Sequence, residues 1–139
     1  IICRLLKILK MTDYVPFREP NYRNTKEMLS QLINRSREQS VAIFPEGTRT
    51  LDGRISVFYK GFIYLYRTSE IPILPVTLNG FYRLKPKNRM YIDLGSKLSV
   101  HIHKPIGNDE LKDKSDREII ERVRNVIASK YKYANEPGN

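Results

Sequence analysis

The densest group of side chains able to do chemistry lies in residues 45–53, PEGTRTLDG. Glu46, Gly47, Thr48 and Arg49 arrive together, directly after the apolar run Val41-Ala42-Ile43-Phe44 and Pro45. A carboxylate accepts hydrogen bonds from hydroxyls, and a threonine hydroxyl both donates and accepts. A guanidinium presents a planar fork of donors that fits a phosphate. Glycine lets the backbone approach a ligand closely. Together the four suit a ligand that carries both hydroxyls and a phosphate. A plain strand-to-loop turn with a surface Glu–Arg ion pair of small energetic weight fits the same residues. Two histidines, His101 and His103, sit on an alternating stretch with Leu98, Val100 and Ile102 on the other face. They are expected to face outward as ordinary solvated histidines. Cys3 is the one cysteine, which excludes an internal disulfide and a multi-thiolate metal site. No constellation of metal ligands is present.

Ligands of open α/β sheets bind where strands end and loops begin, so the elements around this loop matter. Val41 to Phe44 reads as a short strand buried on both faces, ended by Pro45. Upstream, Asn24 and Glu27 have capping-box spacing, and Met28, Leu29, Leu32 and Ile33 form the buried stripe of a helix whose turn closes at Ser40. Downstream, Phe58 to Arg67 shows a helical apolar pattern through Phe58, Phe62, Leu65 and Tyr66. Ile71 to Leu78 is a second apolar strand whose ladder is limited by Pro72 and Pro75. Met90–Leu94 and Leu98–Ile102 read as two more strands joined at Gly95-Ser96. A last helix begins at a Ser115/Glu118 capping box and carries Ile119, Ile120, Val123, Val126, Ile127 and Tyr131 as its stripe. The order predicts an α/β fold, a mixed sheet flanked by helices, within one domain. Tyr14 to Pro20 is extended by composition. Residues 1–10, IICRLLKILK, read as a basic amphipathic helix; lying on a membrane interface and packing on another part of a domain fit it equally.

Forty of the 139 residues are Leu, Ile, Val or Phe, enough for a core and against wholesale disorder. The formal net charge is +10, from 25 Lys and Arg against 15 Asp and Glu. All of the excess falls before residue 108, while residues 108–139 balance. An anionic partner for the first three-quarters follows: phosphate groups, an anionic membrane surface or nucleic acid. The run Arg83-Leu84-Lys85-Pro86-Lys87-Asn88-Arg89 is its strongest cluster; it suits anionic headgroups, an acidic carrier protein, or simply a basic loop between strands. No apolar run reaches the ~20 residues that span a bilayer, and no signal peptide is seen.

Residues 44–50, FPEGTRT, followed by Asp52-Gly53, Phe58-Tyr59-Lys60-Gly61 and IPILPVTLNG at 71–80, resemble the glycerolipid acyltransferase family. Within it the 1-acylglycerol-3-phosphate acyltransferases, which make phosphatidic acid, are the nearest in pattern. The family shares four blocks. The third, Phe-Pro-Glu-Gly-Thr-Arg-Ser, is matched except for Thr50 in place of Ser. The fourth, an apolar stretch around a proline, is matched by Ile71 to Gly80; the second, ending in an aromatic and an arginine, is matched loosely at Phe17 and Arg18. The first, His-x-x-x-x-Asp, is absent: Ile106 and Asn108 stand where the Asp would follow His101 and His103. It is expected upstream of Ile1, in keeping with a chain that begins Ile1-Ile2-Cys3 and reads as an N-terminally truncated piece of the domain.

The resemblance implies transfer of a fatty acyl group from acyl-CoA or acyl carrier protein to the free hydroxyl of lysophosphatidate at a membrane surface, on its cytoplasmic face. No cofactor beyond the co-substrate is implied, and no nucleic acid. Arg49 and Arg18 would clamp the acceptor's phosphate, with Gly47 giving close approach. Glu46 and Thr48 would order its hydroxyls, and Lys60, in a Phe-x-Lys-Gly stretch that recurs in the family, adds a cation. The catalytic His and Asp would lie outside this chain, which alone is expected to be inactive. Two other readings compete: a non-catalytic module binding anionic phospholipid or nucleic acid, and a degenerate relative that truly lacks the histidine.

Overall fold

The computed structural model describes residues 22–87 and 90–133, the side chains of 22–26 apart. The chain divides into two compact units, Ile1–Ala42 and Ile43–Asn139. The expected helix at 1–10, the extended stretch 14–20 and Arg18 lie outside the described residues.

In the first unit, helix α1 spans Tyr22–Ser36. It starts two residues before Asn24, so Asn24 stands in the first turn and not at the cap. Met28, Leu29, Leu32 and Ile33 form its half-buried stripe. It ends before Ser40: the amides of Glu38 and Gln39 both donate to the Arg35 carbonyl at 3.0 Å.

The second unit holds α2 (Gly61–Ser69), β1 (Val76–Asn79), α3 (Phe81–Leu84), β2 (Ser99–Ile102), α4 (Asn108–Leu111) and α5 (Asp116–Ala128). Its core joins Phe58, Phe62, Ile63 and Tyr66 to Ile106, Leu111, Ile119 and Val123. Each large aliphatic or aromatic side chain buried there stabilises the fold by ~1.5–3 kcal/mol. Helix α2 starts later than its apolar pattern suggests: Phe58 packs into this core from the irregular segment ahead of the helix. The Ser115/Glu118 capping box of α5 forms as expected. The Ser115 hydroxyl and then its amide hold the Glu118 carboxyl below its usual range. Arg67 of α2 donates to the carbonyls of Lys112 and Lys114, which fastens α2 to the α4–α5 turn.

Among the described residues the sheet is two-stranded and antiparallel, with Val76 opposite Ile102 and Asn79 opposite Ser99. The expected strand at 41–44 is not formed: Phe44 is 70% exposed, and no described strand offers it a ladder. The expected strand at 90–94 is turn-rich, with Met90 and Leu94 almost fully exposed. Pro72 and Pro75 shorten the 71–78 run to β1 plus a single bridge, Ile73 to Ile106.

Neither face of β2 is covered as a core face would be: all four of its residues are exposed, His101 among them as expected, Leu98 is exposed beside Val100 and Ile102, and only His103, just past the strand, is half-buried. The cause lies on β1, whose buried positions are polar: Thr77 and Asn79. Both serve the end of α5, where helical carbonyls lack partners. The Thr77 hydroxyl donates to the Ile127 carbonyl at 2.8 Å, and Asn79 Nδ2 donates to the Lys130 carbonyl at 3.0 Å. Asn79 Oδ1 accepts from the Lys132 amide at 2.8 Å.

Candidate functional site

Phe44-Pro45-Glu46-Gly47 forms a turn closed by the Gly47 amide on the Phe44 carbonyl at 3.0 Å. Gly47 has φ +66°, a left-handed value that suits glycine. A Cβ there would meet the Tyr59 ring at 3.3 Å, and the Tyr59 amide returns to the Pro45 carbonyl at 2.8 Å. Glu46 Oε2 accepts from the Ser56 amide at 2.8 Å and so braces the two ends of the loop. Thr50 braces its middle. Its hydroxyl accepts from the amides of Gly53 and Arg54 and donates to Asp52 Oδ1 at 3.0 Å. The Arg54 amide, then that hydroxyl, hold the Asp52 carboxyl below its usual range.

The outer half of the loop is tied down from downstream. Three alternate carbonyls each accept a side-chain donor. Tyr82 Oη reaches Leu51 at 3.1 Å, Tyr131 Oη reaches Gly53 at 2.9 Å, and Arg124 Nη2 reaches Ile55 at 3.4 Å. Asn79 places Tyr131 for this, since its side chain grips the residues on either side, Lys130 and Lys132. Burial, with the Glu46 carboxylate adding to it, pushes the Tyr131 phenol above its ordinary range, so it stays a donor at neutral pH.

The loop gathers Glu46, Gly47, Thr48 and Arg49 in one braced segment. The Arg49 side chain is exposed and makes no hydrogen bond or ion pair among the described residues; the surface Glu46–Arg49 pair does not form. Its guanidinium is available to an anion. Lys87, from the basic run, donates to the Thr48 hydroxyl at 3.3 Å and brings a second cation to the loop. Lys60 caps the start of α2 through its backbone, and its side chain is exposed. No interaction places it beside Arg49.

Tyr82, Arg124 and Tyr131 escaped sequence reasoning because their contacts span 31, 69 and 78 residues. The single local hint was a tyrosine just past a helix end, and it reads equally well as part of the helix stripe. No group of three or more His, Cys, Asp or Glu side chains able to hold a metal occurs among the described residues. No described helix is long and apolar enough to cross a membrane.

An acyltransferase family model matches residues 4–79, more than half of the chain. A chloroplastic 1-acyl-sn-glycerol-3-phosphate acyltransferase of Brassica napus is 32% identical over 99 residues, which are 70% of this chain and 29% of that protein. A probable 1-acyl-sn-glycerol-3-phosphate acyltransferase of Mycoplasma pneumoniae is 28% identical over 134 residues, 91% of this chain and 50% of that protein. The chain thus spans half or less of the length of these relatives. Among solved structures, the 1-acyl-sn-glycerophosphate acyltransferase PlsC of Thermotoga maritima superposes with a TM-score of 0.64 at 31% identity, covering 77% of this chain and 42% of that one. That likeness supports the α/β fold of the glycerolipid acyltransferases, although the described sheet is small.

Proposed function

The chain belongs to the acyltransferase family, and from that premise we propose that it is the acceptor-clamping part of an enzyme that moves a fatty acyl group from an acyl thioester to the free hydroxyl of lysophosphatidate, giving phosphatidate. The observation that carries this reading is the braced loop 46–56 with an unpaired Arg49 at its surface. A phosphate taken by the Arg49 fork, with Thr48 next to it in sequence and Lys87 brought to the loop on the Thr48 hydroxyl, fixes one end of the acceptor. Holding a reactant in place converts an encounter into an oriented reaction, worth up to roughly 7–11 kcal/mol of barrier in ideal cases. Of the two oxygens of Glu46, one is committed to the Ser56 amide, so at most the other serves an acceptor hydroxyl.

The chemical step needs a general base. The acceptor hydroxyl attacks the thioester carbonyl and gives its proton to that base; the tetrahedral intermediate then expels the thiolate, which takes the proton back. No His-x-x-x-x-Asp occurs in residues 1–139. His103, which binds Thr77, is spent on the fold. The base therefore has to be supplied from outside these residues, and the proposal is made for the protein that contains them. We place its work at an anionic membrane surface on the cytoplasmic side, supported by the charge of +10 and by the lipid nature of the acceptor. Acyl-CoA and acyl carrier protein both remain donors of the right chemistry.

The test is acyl transfer by the full-length protein, using a labelled acyl thioester and lysophosphatidate in mixed micelles. Labelled phosphatidate from the wild type, with strong loss in Arg49→Ala, supports the reading. Vesicle binding without any transfer, to either thioester, turns it into a lipid-binding relative.

A further inference from the structure

Residue Tyr131 has a second role in the fold. Besides holding Gly53, it lines a cleft of roughly 470 Å3 walled by the start of α3, the 93–99 turn and Lys132. Three cations line this cleft, Arg83, Lys97 and Lys132, against one carboxylate, Asp93. Asp93 Oδ1 is engaged by the Gly95 amide at 3.0 Å. The side chains of Lys97 and Lys132 make no hydrogen bond or ion pair among the described residues.

Both lysines rise from a fixed backbone. Asn79, almost fully buried, accepts from the Lys132 amide. Gly80, at φ +83°, packs so closely on the Lys97 carbonyl that a Cβ would stand 2.0 Å from it. In the same wall the Ser96 hydroxyl is buried without a hydrogen-bond partner. A concave site lined by three cations against one carboxylate, two of the cations making no hydrogen bond or ion pair among the described residues, suits an anion.

We propose that this cleft takes a phosphate of the acyl donor's phosphopantetheine arm. The inference rests on the acyl-transfer reading above. That reaction brings two anionic substrates to one protein. The acceptor's phosphate has Arg49 and Lys87. The donor, whether coenzyme A or a carrier protein, carries its thioester on phosphopantetheine, and the cleft is a second cationic feature among the described residues, joined to the loop through Tyr131. Its volume exceeds that of a phosphate and leaves room for part of the arm or of a nucleotide.

Binding to the full-length protein tests this without any turnover. Calorimetry at low salt compares coenzyme A, 4′-phosphopantetheine, pantetheine and glycerol 3-phosphate on the wild type, Lys97→Glu, Lys132→Glu and the control Lys104→Glu, an exposed lysine outside the cleft. Each cleft reversal is expected to weaken coenzyme A and 4′-phosphopantetheine by about tenfold, the scale of one lost charge-assisted contact. Lys104→Glu is expected to change neither, and pantetheine, without phosphate, to bind poorly throughout. Equal affinities for coenzyme A and 4′-phosphopantetheine support the arm shared with carrier proteins; coenzyme A far tighter than 4′-phosphopantetheine, with the reversals weakening coenzyme A alone, puts nucleotide phosphates in the cleft and overturns the assignment to the arm. The proposal is overturned by absent binding, by binding that the two reversals leave unchanged, or by reversals that weaken glycerol 3-phosphate instead. A protein that binds coenzyme A through these lysines yet transfers no acyl group sinks the proposed function and keeps the cleft.

Discussion

Tyr131 donates its phenolic hydrogen to the carbonyl of Gly53 at 2.9 Å, across 78 residues of chain. Gly53 is buried, so water cannot replace this donor. The bond couples the end of α5 to the loop that carries Arg49, and Asn79 of β1 sets the tyrosine in place for it.

Tyr131→Phe removes the donor and keeps the ring. The stranded carbonyl is expected to cost about 1–3 kcal/mol, read as a fall in denaturation midpoint. On the proposed function, a loosened loop in the full-length protein is expected to raise the acceptor KM more than it lowers kcat. A variant with unchanged stability and an unchanged acceptor KM would show that the loop holds its shape without this tether.

Arg49→Ala is expected to lower kcat/KM for lysophosphatidate at least about tenfold, because a charge-assisted phosphate contact is worth ~1.5–3 kcal/mol. Arg49→Lys recovers only part, since a point charge does not reproduce the fork. Stability should stay within ~0.5 kcal/mol, as the side chain is exposed and unpaired. Near-normal kinetics in Arg49→Ala would take Arg49 out of the site.

The parts of the molecule legible in the sequence are those specified locally. The Ser115/Glu118 box needs three residues of spacing, and it forms. The chemistry of the 46–49 loop is written in consecutive residues. What was illegible depends on partners far along the chain. Residues 41–44 look like a buried strand, but an apolar run becomes a strand only with a ladder beside it, and none of the described strands provides one. The alternation at 98–103 gave the right element and a covered face for Leu98, Val100 and Ile102 that does not exist. An alternating pattern tells which residues share a side, and the partner decides which side is covered. Here the partner strand turns Thr77 and Asn79 to the helix end, and His103 joins Thr77 there while His101 stays exposed.

Gly47→Ala tests the turn before the loop. At φ +66° an alanine carries a backbone penalty of roughly 1–2 kcal/mol. Its methyl also meets the Tyr59 ring at 3.3 Å, a contact that a small ring movement relieves. The expected loss of stability is therefore about 1–2 kcal/mol, measured by chemical denaturation, with Tyr59→Ala restoring none of the backbone part. An unaffected midpoint would mean that the turn adopts another conformation in solution.

His103 makes stability depend on pH. The single hydrogen of the Thr77 hydroxyl goes to the Ile127 carbonyl, so its oxygen accepts from His103 Nε2–H at 2.8 Å. Burial first, then the neighbouring His101 and Lys130, lower the His103 pKa from its usual value of 6.5. A lowered pKa means that the unfolded chain takes up this proton before the folded one does. The stability is complete above the unfolded pKa and is lost as pH falls from there toward the folded pKa. His103→Gln retains an N–H donor and does not titrate. Between pH 7.5 and pH 5.5 or so, above the main carboxylate range, the wild type is expected to lose more thermal stability than His103→Gln. Parallel melting-temperature profiles for the two proteins would show that His103 is not the group responsible.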